Sequence, residues 1–122
     1  SGWSLEAFLG IIFKPIAILM GVPLEDAGLI GGLLGKRMVI NEFVAFSDLG
    51  QIPITMLTEH GRMIATFALC GFANFSSIAI QLGGIGALIP ERRGDLARLG
   101  IKAMIAGTLA NFISASIASI LA

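Results

Sequence analysis

The segment MIATFALCGFANFSSIAIQLGGIGALIP, residues 63–90, contains no charged side chain and is long enough to cross a membrane as a helix. Its centre is unusual because small and polar residues cluster there, at Gly71, Asn74, Ser76, Ser77 and Gln81. A helix that faces lipid would not carry such a cluster at its midpoint, whereas a helix broken near residues 71–77 would. A broken helix at mid-membrane depth is the pattern expected at the binding site of a transporter.

The composition of the whole chain also favours a membrane protein. Apolar residues make up 56% of the 122 residues, charged residues make up 13%, and the mean hydropathy is +0.92. A soluble domain carries about 25% charged residues, and so few charges could not cover the surface of a small globule. The net charge is zero, so nothing indicates nucleic acid as a partner. Cys70 is the single cysteine, which excludes an internal disulfide.

The N-terminal apolar segment, residues 4–22, is interrupted by Glu6, Lys14 and Pro15. A segment with these interruptions would be a poor transmembrane helix. We therefore predict an amphipathic helix that lies in the membrane interface.

The next apolar segment, residues 26–47, consists of two pieces of about nine residues each. Each piece would be ~13–14 Å long as a helix, about half of the hydrocarbon core of a bilayer. Two half-length helices joined at a polar tip make a re-entrant hairpin, whose irregular backbone must be buried in protein or line a wet cavity. We place the tip of this predicted hairpin at Lys36 and Arg37.

The C-terminal part of the chain begins with a charged loop, residues 91–98, in which several basic residues lie close together. The positive-inside rule makes this loop cytoplasmic. A final transmembrane helix is predicted over residues 95–122, after a broken transmembrane helix over residues 60–90. The predicted fold is therefore an all-α membrane protein of interfacial helix, re-entrant hairpin, broken helix and final helix.

Glu42 is the most informative single residue, because it follows the predicted hairpin tip and so lies near mid-membrane. A carboxylate at that depth costs ~3 kcal/mol or more. One interpretation is a structural ion pair with Lys36 or Arg37. The favoured interpretation is that Glu42 binds a polar substrate, since its two oxygens can accept hydrogen bonds from two adjacent hydroxyls.

The polar residues at the predicted helix break form the second part of the candidate site. Asn74 and Ser77 are three residues apart, so one helical turn presents them on one side. They could contact substrate or satisfy backbone groups freed by the break, and both roles can coexist. Phe72 and Phe75 flank them, and an aromatic ring beside a polar cluster can pack against a sugar or a base.

Sequence patterns of catalysis are missing from the chain. There is no zinc-ligand spacing, no nucleophile–base–acid set and no phosphate-binding loop. We therefore expect no enzymatic activity, no catalytic residue, no metal ligand and no cofactor bound by this segment. An intramembrane enzyme that uses Glu42 as acid or base would lack a second catalytic group at matching depth.

Four strings of the sequence resemble the concentrative nucleoside transporters: NEFVA (41–45), ALCGFANFSSI (68–78), GGIGALIPERRGDLARLG (83–100) and AGTL (106–109). The resemblance extends over essentially the whole chain. It implies that the chain is the C-terminal third of a bacterial member. The start at Ser1, without a Met, agrees with a chain that begins inside a longer protein.

The resemblance also implies a function and an assembly. Members are homotrimers in the cell membrane, and each protomer has a transport domain of two inverted repeats, of which this chain would be the second. Members move nucleosides into the cell by symport with sodium or protons.

For the site residues, the resemblance implies that Glu42, Asn74 and Ser77 serve the ribose and that Phe72 lines the site. The residues that read the nucleobase and bind the coupling ion belong to the other repeat. The string Gly35-Lys36-Arg37 departs from the Gly-Thr-Lys expected in many members, which puts the details of the gate in doubt. An alternative function is a gate-type membrane module that transports another solute or serves an assembly role.

Overall fold

The computed structural model describes residues 4–122, apart from the side chain of Glu6. Within this range the chain forms six α-helices and two 3-10 turns, and no strand occurs there. The helices are α1 (Leu5–Leu19), α2 (Leu24–Val39), α3 (Glu42–Gln51), α4 (Glu59–Leu69), α5 (Phe75–Leu88) and α6 (Arg93–Leu121), with the 3-10 turns at Ile54–Met56 and Pro90–Arg92. The predicted all-α fold is confirmed.

Helix α1 packs along α2 at a glycine contact. A Cβ atom on Gly31 would lie 2.7 Å from the carbonyl oxygen of Gly10, closer than real Cβ contacts. The two helices can therefore approach closely only because neither residue has a side chain. Gly21, with a φ of 100°, ends this first helical segment in a conformation that favours glycine.

The helical hairpin consists of α2 and α3, and its turn lies at Ile40 and Asn41. The prediction that the tip lies at Lys36 and Arg37 is wrong, because both residues belong to the last turn of α2. Basic residues are good helix formers and are stabilised near the negative C-terminal end of a helix. Asn41 starts α3 instead, because its Oδ1 accepts a hydrogen bond from the backbone N–H of Val44 at 2.9 Å.

The long uncharged segment is interrupted between α4 and α5, over residues 70–74. Thr58 caps the start of α4 by accepting from the N–H of Gly61 at 2.9 Å. Asn74 and Ser77 form a reciprocal capping box at the start of α5. The break therefore begins a new helix with its own local hydrogen bonds.

Asp26 ties the start of the hairpin to the start of α4. Its carboxylate is buried and accepts hydrogen bonds from both the backbone N–H and the hydroxyl of Thr58. Thr58 is the N-cap of α4, so the acid lies at the positive end of that helix.

Helix α6 is the only helix among the described residues that is long and apolar enough to cross a membrane, counted over Pro90–Leu121. One face packs on the rest of the chain through Gly100, Met104, Thr108, Phe112 and Ala115. The ring of Phe112 meets the ring of Phe13 edge to face, with centroids 6.0 Å apart. The opposite face carries exposed isoleucines.

Candidate functional site

The turn of the hairpin and the break between α4 and α5 lie next to each other, and they bring Glu42 and Asn74 into direct contact. Glu42 is the first residue of α3 and Asn74 is the N-cap of α5. The Asn74 Nδ2 donates a hydrogen bond to Glu42 Oε2 at 2.9 Å. Residues 32 positions apart in the chain are therefore joined by a charge-assisted hydrogen bond.

The orientation of the Asn74 amide is determined by its surroundings. Its Oδ1 accepts from the backbone N–H of Ser77 at 2.8 Å, so the Nδ2 group must point away from α5 and toward the carboxylate. The reverse orientation would set the amide oxygen against the Glu42 carboxylate and the amide NH₂ against a backbone N–H. Asn74 is only 1% exposed, which holds it in this arrangement.

The Glu42 carboxylate is partly buried and lies where two helices begin. The N-terminal ends of α3 and α5 carry partial positive charge, which stabilises an anion. Among residues 4–122, its one side-chain hydrogen bond is the bond from Asn74. Glu42 Oε1 has no hydrogen-bond partner among the described side chains.

The alternative role of Glu42 as the ion-pair partner of Lys36 or Arg37 is not what the structure shows. Lys36 pairs with Asp48. The Arg37 guanidinium donates to the backbone carbonyls of Ala68 and Gly71. The carboxylate of Glu42 is left for its contact with Asn74.

Ser77 is buried inside the break. Its hydroxyl donates to the carbonyl oxygen of Asn74 at 2.7 Å and accepts from the N–H of the same residue at 3.2 Å. Asn74 and Ser77 thus satisfy freed backbone groups, as one of the two interpretations of the sequence expected. Ser77 retains acceptor capacity, since a hydroxyl oxygen has two lone pairs.

Phe72 lies in the break and is 64% exposed. It lines a cavity of about 240 Å³ between α5 and α6, together with Ser77, Gln81 and Asn111. Glu42 and Asn74 are not among the residues that line this cavity, and the link between the two places is the hydrogen bond between Ser77 and Asn74.

Three contacts that the sequence did not predict stabilise the break. Ser76 Oγ donates to the carbonyl oxygen of Ile40 at 3.0 Å, which joins the start of α5 to the hairpin turn. Asn111 Nδ2 donates to the carbonyl oxygen of Cys70 at 2.6 Å. The third contact is made by the Arg37 guanidinium, which donates to the carbonyl oxygens of Ala68 and Gly71. The contact of Asn111 could have been predicted from the sequence, because a polar residue in an apolar membrane helix often forms a hydrogen bond with another helix.

A protein-bound metal ion has no candidate site in the part of the chain that the structure describes. No group of three or more His, Cys, Asp or Glu side chains is close enough there to hold one.

The strongest comparison is with a protein family whose model is described as "Na+ dependent nucleoside transporter C-terminus". That model matches residues 1–119 of this chain. The chain belongs to this nucleoside transporter family. The family prediction made from the NEFVA and ALCGFANFSSI strings is thereby confirmed, and the chain is part of an integral protein of the cell membrane.

Individual relatives agree with this membership. The nucleoside permease NupC of Helicobacter pylori is 44% identical over 96% of this chain, which covers 29% of the relative. The sodium/nucleoside cotransporter 1 of Homo sapiens is 36% identical over 98% of this chain, which covers 21% of the relative. The transporter YutK of Bacillus subtilis is 55% identical over 96% of this chain. These relatives are transporters, which confirms the expectation that the chain is not an enzyme.

Solved structures of the transporter family have the same fold. The structure of CNTnw in an inward-facing substrate-bound state is 47% identical and superimposes with a TM-score of 0.86. The overlap covers 96% of this chain and 29% of that one. The chain thus spans less than a third of the transporters that it matches.

Proposed function

We propose that this chain supplies the ribose-binding part of a cation-coupled transporter that moves nucleosides into the cell. The observation that supports this role is the contact between Glu42 and Asn74 where two helices begin. A carboxylate is retained there although its burial has a cost, and intramembrane acids are functional by default. Membership of a nucleoside transporter family supports nucleosides as the class of solute.

The chemistry of the pair suits the adjacent hydroxyls of a ribose. Glu42 Oε1 can accept from one hydroxyl, and a remaining lone pair of Oε2 can accept from its neighbour. Each bond would be charge-assisted, which makes it stronger than a bond between neutral groups. Asn74 is 1% exposed, so its second amide hydrogen would donate to a hydroxyl oxygen only when the site opens.

Ser77 and Phe72 are the remaining residues that we propose for ribose binding. Ser77 offers a lone pair beside Asn74, and the exposed ring of Phe72 can pack against the sugar or the base. The ring of Phe72 is 64% exposed among the described residues, so its face is accessible to a substrate.

Transport requires that the pocket open to each side of the membrane in turn. The hairpin and the broken helix are joined by hydrogen bonds at Glu42, Ile40 and Arg37. We infer that they move together, as one body that carries the substrate. Sodium is the favoured coupling ion because the family is described as Na+ dependent. Like the family members that the sequence resembles, the whole protein would be a homotrimer.

The decisive test is concentrative uridine uptake by the full-length transporter carrying Glu42→Gln. The substitution keeps the size of the side chain but removes its charge and one acceptor. Hydrogen bonds to a charged group are worth ~1.5–3 kcal/mol each, so losing one of them and leaving the other with a neutral acceptor should reduce uridine affinity at least ~10-fold.

A matched control is Glu59→Gln, which removes the same charge from an exposed residue in the first turn of α4. Uptake by this variant should equal that of the wild type. Normal uptake by a well-expressed Glu42→Gln transporter would refute the ribose role. Absence of uridine binding to the wild type would instead favour a gate-type module for another solute.

A further inference from the structure

Arg37 is a buried cation that neither the sequence patterns nor the proposed ribose contacts account for. It lies in the last turn of α2 and is 1% exposed. Its Nη1 donates to the carbonyl oxygen of Ala68 at 3.1 Å, and its Nε donates to that of Gly71 at 3.3 Å. Ala68 lies in the last turn of α4, and Gly71 lies two residues beyond the end of that helix, in the break.

The Ala68 carbonyl that Arg37 contacts is one of the last four of α4 and needs a donor from outside the helix. The last four carbonyls of a helix have no partner within the helix, and at membrane depth water is not at hand to replace one. They also form the negative end of the helix, where a cation is favourable. Arg37 therefore satisfies the end of α4 as a C-terminal cap that comes from another helix.

The position of Arg37 differs from that of the other hairpin contacts. Ser76 and Asn74 join the hairpin to the start of α5, which is one side of the break. Arg37 joins the hairpin to the end of α4, which is the other side. The hairpin thus holds both ends of the interruption, and Gly71 is only three residues from Asn74.

We propose that Arg37 is a positioning residue of the nucleoside site. It holds the carbonyl groups of Ala68 and Gly71 against the hairpin and thereby fixes the position of Asn74 relative to Glu42. This inference rests on the proposed function. In this role the guanidinium acts on the site through its backbone contacts at Ala68 and Gly71.

The geometry favours arginine over lysine at this position. The planar guanidinium presents donors in a fixed fork, so one side chain reaches two carbonyls. A lysine ammonium is a compact charge on a flexible stem, and holding the same two carbonyls would restrict that stem more. Nη2 has no hydrogen-bond partner among the described residues, so burying the guanidinium costs free energy. Packing by itself would therefore not explain an arginine at this position.

The test measures binding of uridine and of 2′,3′-dideoxyuridine to the purified full-length transporter by calorimetry. The two ligands share a base but differ in the hydroxyls that the Glu42–Asn74 pair would hold. In Arg37→Met, uridine affinity should fall at least ~10-fold, the order expected for one lost charged hydrogen bond. Affinity for the dideoxy ligand should change much less, so the preference for uridine should shrink.

Two further variants make the outcome specific. Arg37→Lys should retain part of the preference, because an ammonium can still donate to one carbonyl, and it serves if Arg37→Met does not fold. Lys36→Met is the matched control, because the neighbouring Lys36 pairs with Asp48 away from the break, and its uridine preference should equal that of the wild type.

The possible failures can be told apart. A wild type that prefers uridine, together with folded Arg37→Met or Arg37→Lys proteins that keep the full preference, would overturn the role of Arg37 alone. An equal loss of affinity for both ligands would also overturn it, because that is the signature of a general structural defect. A wild type that does not prefer uridine would refute the proposed function itself.

Discussion

Replacing Asn74 by Asp would test the central contact of the site, because it changes one group and keeps the local fold. An Asp side chain can still cap α5 by accepting from the N–H of Ser77. It cannot donate to Glu42, and it would set a second carboxylate 2.9 Å from Glu42 Oε2.

The magnitude follows from that distance. The lost hydrogen bond to a charged group is worth ~1.5–3 kcal/mol. Two unit charges about 3 Å apart repel by roughly 5–6 kcal/mol at an effective dielectric constant near 20, which is an upper bound because the groups can move apart. We expect the site to be destabilised by ~3–5 kcal/mol, which corresponds to a ~100- to ~4,000-fold loss of uridine affinity if binding requires the native contact.

The assay compares three full-length variants by thermal melting and uridine binding. Asn74→Asp should be less stable than the wild type and should not bind uridine. The double variant Asn74→Asp with Glu42→Gln should recover stability, because the Gln amide can donate to the new carboxylate in the reverse direction. It should still bind uridine poorly, since the charge is now on the other side chain. A double variant no more stable than Asn74→Asp would refute the direct contact between the two side chains.

Two substitutions elsewhere test how the fold positions the site, each by thermal melting of the full-length transporter. Gly31→Ala should destabilise by ~1–3 kcal/mol because its Cβ would lie 2.7 Å from the Gly10 carbonyl oxygen, whereas Gly28→Ala on the same helix meets nothing within 4 Å and should be neutral. Equal melting temperatures for the two variants would contradict the close contact of α1 with α2. Asp26→Asn should cost ~1.5–3 kcal/mol because Thr58 would donate to a neutral acceptor, and unchanged melting would rule out a tie between the hairpin and α4.

Local patterns predicted the elements of the site better than their contacts. Asn41 and Asn74 each follow an interruption and cap the helix that comes next, which needs only residues three apart. The predicted hairpin tip is wrong because Lys36 and Arg37, although charged, are good helix formers and continue α2 to Val39. The partners of Arg37 lie 31 and 34 residues away in the chain, so no local pattern could indicate them.

The sequence by itself determined the class of protein, the all-α fold, the interruption of the uncharged segment and the family. These follow from composition, from the length of apolar segments and from strings such as ALCGFANFSSI, all of which are properties of neighbouring residues. Only the tertiary structure decided that Glu42 meets Asn74, that Lys36 pairs with Asp48, and that Arg37 caps the end of α4. Such contacts depend on how separate helices pack, and packing is decided by the whole chain at once.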